Sequence, residues 1–212
     1  MCIFEKFQMK ITPLAEDCTL LHFDDLNILI NCPDLSKVFD NHQVPSWGTI
    51  DLLLISNFIS GNGIPTLLET TNFTGQIVMT NATKSFLELF WQNEFNVEKH
   101  VLPCTEIILQ ETKEIFWTRE KMQNTLASIR IIPIHMNFPI SNKTHMVALH
   151  SGYCIGSCNW IFHDFGETIA FIGKSGVSTI RHPYMISFDD FTVTFKKTTW
   201  DQYSYIIRIS IR

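Results

Sequence analysis

Leu52-Leu53-Leu54-Ile55 is an unbroken apolar run, framed by Asp51 on one side and Ser56-Asn57 on the other. With no polar position left to face water, it predicts a central strand covered on both faces. Upstream, Met9 to Pro13, Cys18 to Phe23 and Asn27 to Cys32 are three shorter apolar runs. Asp24-Asp25-Leu26-Asn27, between the last two, has the residues of a tight hairpin turn, so the chain opens with an antiparallel meander. Pro33 closes the third run and leaves Asn31 at its tip, either as a turn residue or as a site position. Residues 35–48 carry a weak helix or loop signal ending at Pro45-Ser46-Trp47-Gly48.

Beyond the central run the period changes. Pro65 suits a first helical turn, and Thr66 to Thr71 predicts a short helix. After a turn at Phe73-Thr74-Gly75, Gln76 to Thr80 reads as a strand. Thr80 or Asn81 then caps a helix running to about Lys99, with Phe86, Leu87, Leu89, Phe90 and Phe95 on its apolar side. Thr118 opens another helix through Ser128, and Ile129 to Ile134 follows as a strand. Val147 to Ser151, Asn159 to His163 and Thr168 to Gly173 are three further strands, separated by Gly152, Gly156 and Asp164-Phe165-Gly166. Near the end, Phe191 to Phe195 and Tyr203 to Arg212 alternate as strands do. A meander, then alternating strands and helices, then a second meander is an α/β layered body with two facing sheets.

Composition narrows the class. In 212 residues, 45% hydrophobic and 17% charged content is too apolar for disorder and sufficient for one good core. A formal net charge of −5 gives no overall footprint for nucleic acid, which calls for a basic patch. Met1 to Lys10 carries Glu5 and Lys6 where a signal peptide is apolar, and no window reaches membrane-span length, so the chain reads as intracellular and soluble. The six cysteines (2, 18, 32, 104, 154 and 158) then read as reduced thiols, and the sequons at Asn72, Asn81 and Asn142 as idle.

The loop after the central strand, Ser56 to Gly63, is where an α/β protein usually places its chemistry, yet it holds Ser56, Asn57, Ser60 and Asn62 and no carboxylate, histidine or cysteine. Elsewhere His100 with Cys104, Cys154 with Cys158, and His145 with His150 have spacings that can hold a metal. None shows the paired C-x-x-C arrangement of a structural zinc site, so core thiols and surface histidines are the better reading. Cys154 beside His150 or His163 is a candidate nucleophile, against which alternation points it into or across a sheet. Lys174, next to Ser175 and Gly176, reads as a loop residue reaching solvent rather than a buried amine. Trp47, Trp117 and Trp160 read as packing residues.

Two segments carry a resemblance. Ile50-Asp51-Leu52-Leu53-Leu54-Ile55-Ser56-Asn57-Phe58 with Gly63-Ile64-Pro65, and Ser151-Gly152-Tyr153-Cys154-Ile155-Gly156-Ser157-Cys158-Asn159-Trp160-Ile161, resemble the metallo-β-lactamase fold of RNA-processing nucleases. More narrowly, they are similar to the Integrator complex subunit 9 family, an inactive metallo-β-lactamase/β-CASP branch. The resemblance runs from about Cys18 to about Ile180, including Asn72 to Gly75 and Met122 to Ile129. It implies a four-layered αββα sandwich, present as the N-terminal half with two facing sheets. Residues 1–180 would be the metallo-β-lactamase-like portion and 181–212 a divergent β-rich tail. The family's return segment is missing, which implies an incomplete second sheet with an exposed apolar edge.

Active members of the fold hold two zinc ions with clustered His and Asp ligands, and a bridging hydroxide attacks the phosphodiester. The resemblance places Asn57, Ile59, Gly61 and Asn62 at the positions of the His-x-His-x-Asp-His run, Asn31 at the strand-tip aspartate, Tyr153 at the later histidine and Lys174 at the bridging aspartate. None of these is a good zinc ligand. It therefore implies no cofactor and a pseudo-enzyme in the nucleus, with the cytoplasm as a second compartment. Such a protein would scaffold the catalytic Integrator complex subunit 11 and other Integrator subunits in small nuclear RNA 3′-end processing, touching RNA at most indirectly and no membrane. The alternatives are a metal-dependent hydrolase or nuclease with a rearranged site and the inactive subunit of the mRNA cleavage and polyadenylation factor.

Overall fold

The structure, a computed structural model, describes residues 9–15, 17–23, 26–33, 35, 46–94, 117–164, 167–176, 192–196 and 205–210. Strands β1 (Met9–Ala15), β2 (Cys18–Phe23) and β3 (Leu26–Ile30) form the antiparallel meander expected from the first three apolar runs. β3 then pairs in parallel with β4 (Leu52–Ile55), β4 with β5 (Gln76–Met79), and β5 with the two-residue β6 (Arg130–Ile131), in the order β1-β2-β3-β4-β5-β6. Parallel neighbours need crossovers, and helices supply them. Helix α1 (Ile64–Thr70), with Pro65 in its first turn, joins β4 to β5. Helices α2 (Asn81–Glu94) and α3 (Arg119–Ser128) lie between β5 and β6. Thr118 caps α3 by accepting the Lys121 N–H at 3.2 Å.

The second sheet is antiparallel throughout. It contains β7 (Asn137–Pro139), β8 (Thr144–His150), β9 (Cys158–Asp164), β10 (Glu167–Ile172), β11 (Thr192–Lys196) and β12 (Tyr205–Ser210), ordered β11-β12-β10-β9-β8-β7.

The unbroken apolar character of Leu52 to Ile55 now has its cause. Leu54 joins Ile28, Ile30 and Val78 in a core between the sheets, against Met146, Ala148, Trp160, Phe162, Ile169 and Phe171. Leu53 and Ile55 point the other way with Leu29, Ile77 and Met79, against Ile64 and Leu67 of α1, Leu87 and Trp91 of α2, and Met122 and Leu126 of α3. Strand period 2 therefore divides one run between two cores. On the far face of the second sheet, Ile161, Ala170 and Ile172 are also buried. No helix among the described residues is long and apolar enough to cross a membrane.

Two elements depart from expectation. The run Ile129 to Ile134 is a strand only at β6; the Ile132 N–H still donates to Met79 O at 3.0 Å, but Pro133 has no N–H to continue the ladder. The short β7 has no apolar alternation and was not anticipated. On the second sheet β12 pairs with β10 from Glu167↔Ser210 to Ile172↔Tyr205, so the sheet continues past β10 and its outer strand on that side is β11, whose side chains lie outside the described residues. Residues 36–45 of the weak upstream signal and 95–99 of the longer expected helix lie outside the described residues.

Candidate functional site

β3 and β4 run in parallel, so the loops that follow them emerge at the same end of the sandwich. Asn31, directly after β3, sits at φ 64°, a left-handed conformation that asparagine tolerates better than most residues. It turns the chain, and its side chain is wholly buried at the strand tip. Its backbone N–H donates to Leu54 O at 2.8 Å, tying the two strand ends together. Its amide oxygen accepts the Ser56 N–H at 2.8 Å, and its amide nitrogen donates to Asp17 Oδ1 at 3.0 Å.

The loop closes on the same carboxylate. Asn57 Oδ1 accepts the Ser60 N–H at 3.1 Å while Asn57 Nδ2 donates to Ser60 Oγ at 2.8 Å, and Ser60 Oγ donates to Asp17 Oδ2. A single 3₁₀ turn at Ile59–Gly61 follows, and Cys32 N–H donates to Ser60 O at 2.7 Å. Gly63 N–H returns a bond to Cys32 O at 2.8 Å. Only glycine fits there, because a Cβ on residue 63 would lie 1.8 Å from Pro33 O. Asp17, Asn31, Ser56, Asn57 and Ser60 are all buried. Such a network is stable in a core only when its members are satisfied, and each of these five has a partner.

The second sheet closes the site from the other side. Trp160 Nε1 donates to Ser56 Oγ at 3.0 Å and Cys158 N–H donates to Ser56 O at 2.8 Å. In the loop between β8 and β9, Ser151 Oγ and Ser157 Oγ are 2.7 Å apart, and Ser157 Oγ receives the Cys154 N–H at 2.9 Å. Gly156 turns at φ 84°, and its carbonyl accepts Thr80 Oγ1 at 2.7 Å and Thr83 Oγ1 at 2.9 Å, fastening the loop to the start of α2. After β10, Gly173 N–H donates to Asn159 Oδ1 at 3.1 Å and Gly176 N–H to Ser151 O at 2.9 Å.

The seven positions singled out in the sequence therefore fall at one end of the sandwich. Asn31 and Asn57 meet through Asp17 and Ser60, with Ile59, Gly61 and Asn62 in the turn that follows. Tyr153 stands on the exposed side of the loop after β8, and half-buried Lys174 follows Gly173, which lies beside Ser56. This donor set does not fit the two zinc ions that the resemblance implies for active relatives. The amides of Asn31 and Asn57 are engaged at both heavy atoms, Ile59 and Gly61 have no side-chain donor, and Lys174 is a cation. Among the described residues no group of three or more His, Cys, Asp and Glu could hold a metal. Asp17, which ties the network together, escaped the sequence reading because Glu16-Asp17 between two apolar runs looks like a solvent-facing turn.

The other candidates separate. Cys18, Cys32, Cys154 and Cys158 are free thiols. Burial pushes all four upward in pKa, with the neighbouring Asp17 adding to the effect at Cys18. Cys154 lies in the loop, not across a sheet as expected, and bonds from Ser157 only partly offset its burial, which disfavours the thiolate a nucleophile needs. Five residues apart on β8, His145 and His150 take opposite faces; His145 instead stands opposite His163 of β9. His100 and Cys104 lie outside the described residues.

Burial, then the proximity of His145, lowers the His163 pKa below its ordinary 6.5, and burial, then His135, does the same to His150. The folded state thus binds fewer protons than the unfolded one wherever the unfolded imidazole charges. Stability from these groups is present above pH 6.5 and is lost as pH falls through that value toward the depressed folded pKa. Urea midpoints in chelator-containing buffer are expected to fall between pH 7.5 and 5.5, and His163→Gln is expected to flatten that fall.

The fold has solved counterparts. Zn2+-bound PqqB from Methylobacterium extorquens superposes with a TM-score of 0.51, at 11% identity, covering 78% of this chain and 55% of that one. The chain has the metallo-β-lactamase fold. Within that fold, the chain is similar to Integrator complex subunit 9 of Mus musculus, 24% identical over 154 residues that cover 64% of this chain. It spans only 23% of that relative's length. It is also similar to the cleavage and polyadenylation specificity factor subunit 3-I of Arabidopsis thaliana, 24% identical over 191 residues, covering 82% of this chain and 26% of that protein. No protein-family model matches.

Proposed function

We propose that the chain is a non-catalytic Integrator-type subunit, whose metallo-β-lactamase fold is kept as a scaffold. The observation that carries this reading is the saturation of Asn31 and Asn57 by Asp17, Ser56 and Ser60. A pocket closed by its own side chains has no place for the metal-bound hydroxide that hydrolysis in this fold requires. Similarity to Integrator complex subunit 9 supports the assembly: the partner would be the catalytic Integrator complex subunit 11, the process small nuclear RNA 3′-end formation and the compartment the nucleus. RNA would be held by the partner, since this chain has a net charge of −5.

The broader coverage of the cleavage and polyadenylation relative favours a second reading, in which the chain serves that machinery instead. Co-purification separates the two. The tagged 212-residue chain is expected to capture Integrator complex subunit 11 from nuclear extract. Capture of cleavage and polyadenylation subunits alone would favour the second reading, and capture of neither would overturn both.

A further inference from the structure

His135, between β6 and β7, sits at φ 65°, a left-handed conformation uncommon outside glycine, although histidine, like asparagine and aspartate, enters it more readily than most residues. What holds it is visible: its N–H donates to Ala148 O at 2.9 Å, fixing it beside the end of β8. His150, the last residue of β8, lies on the strand face that carries Met146 and Ala148 into the inter-sheet core. The two imidazoles lie with centroids 5.6 Å apart and planes at 72°. His150 Nδ1 is buried and has no hydrogen-bond partner.

Edge-to-face packing alone would accept that ring geometry. It would not account for the orphaned nitrogen, since buried ring nitrogens are ordinarily paired. A shared cation accounts for both. Nitrogens bound about 2.1 Å from one zinc place each ring centre about 3.2 Å from the ion, and so about 5.2 to 5.5 Å from each other at near-tetrahedral angles. The observed 5.6 Å is close to that separation.

We propose that His135 and His150 form a site for one borderline divalent cation of the Zn2+ or Cu2+ class, which imidazole nitrogen suits. His135 is exposed, so the site opens to solvent on that side. No third His, Cys, Asp or Glu completes it among the described residues, and solvent or a partner's donor fills the remaining positions. It shares no residue with the Asp17–Asn31–Ser60 network and stands or falls independently of the proposed function.

Calorimetric titration of the metal-free 212-residue chain with ZnCl2 tests it. One equivalent is expected to bind. His135→Asn, which keeps a residue tolerant of the left-handed backbone, and His150→Gln are each expected to weaken binding at least about tenfold. Losing only an outer-shell partner of a metal-bound histidine already costs 10–100-fold, so losing a ligand should cost no less. His145→Gln, on the opposite face of β8, should leave binding unchanged. Absence of saturable binding, or binding that survives both substitutions, would overturn the site. Should a variant misfold by circular dichroism, the wild-type chain decides: trace Cu2+ must broaden the imidazole resonances of His135 and His150 first, and earlier broadening of another histidine contradicts the assignment.

Discussion

Asn31→Asp is expected to destabilise the fold by about 3 kcal/mol or more at neutral pH, although it restores the residue type that zinc-binding relatives would carry there. In the native chain the Asn31 amide donates to Asp17 Oδ1 at 3.0 Å, and both side chains are buried. The substitution removes the donor and sets two carboxylates against each other where little water can screen them. Paired carboxylates respond by holding a proton between them, so the loss is expected to shrink as pH falls toward 5. The reciprocal change gives an internal control. Asp17→Asn combined with Asn31→Asp exchanges donor and acceptor, leaves an oxygen for Ser60 Oγ and another for the Ser56 N–H, and is expected to recover most of the stability. Urea denaturation of the two single variants and the double variant gives the cycle; additive losses would contradict the network.

Trp160→Ala is the second large effect, about 3 to 5 kcal/mol. The side chain is 0% exposed and fills the centre of the inter-sheet core, where loss of an indole leaves a cavity that fixed strands cannot close. It also loses the bond from Nε1 to Ser56 Oγ, which ties the second sheet to the loop after β4. Trp160→Phe separates the two contributions. It keeps most of the volume and is expected to cost about 1 to 3 kcal/mol, the range for a buried polar group left without its hydrogen bond. Denaturant midpoints at constant slope would show the difference as stability rather than a change in unfolded-state compactness.

Much of this was legible in the chain, for identifiable reasons. An apolar run with no polar break and only four residues long, Leu52 to Ile55, suits a strand covered twice and is too short for a helix, and the Thr118 cap and Pro65 at N1 or N2 mark helix starts through local chemistry. The run around Tyr153 to Trp160 carried the fold because its glycine and serine spacing sets a specific loop. What could not be read depended on distant parts of the chain. Asp17 becomes central only when β1–β2 brings it under Asn31 and Ser60, 14 and 43 residues away. β6 and β7 are too short to impose a period. His150 was weighed with His145 by spacing, whereas the strand sends these two to opposite faces and the turn at His135 supplies the ring it meets.

We infer that Asn31, Asn57 and Ser60 close the strand-end site around Asp17 and leave no room there for a dinuclear metal centre. Zinc-edge anomalous diffraction from crystals of the 212-residue chain grown with excess Zn2+ tests it by position. The result expected is no anomalous peak within coordination distance of Asn31, Asn57, Asn62 or Lys174, with the Asp17–Asn31 bond intact. Two peaks a few ångström apart between the β3 tip and the Ser56 to Gly63 loop would contradict it.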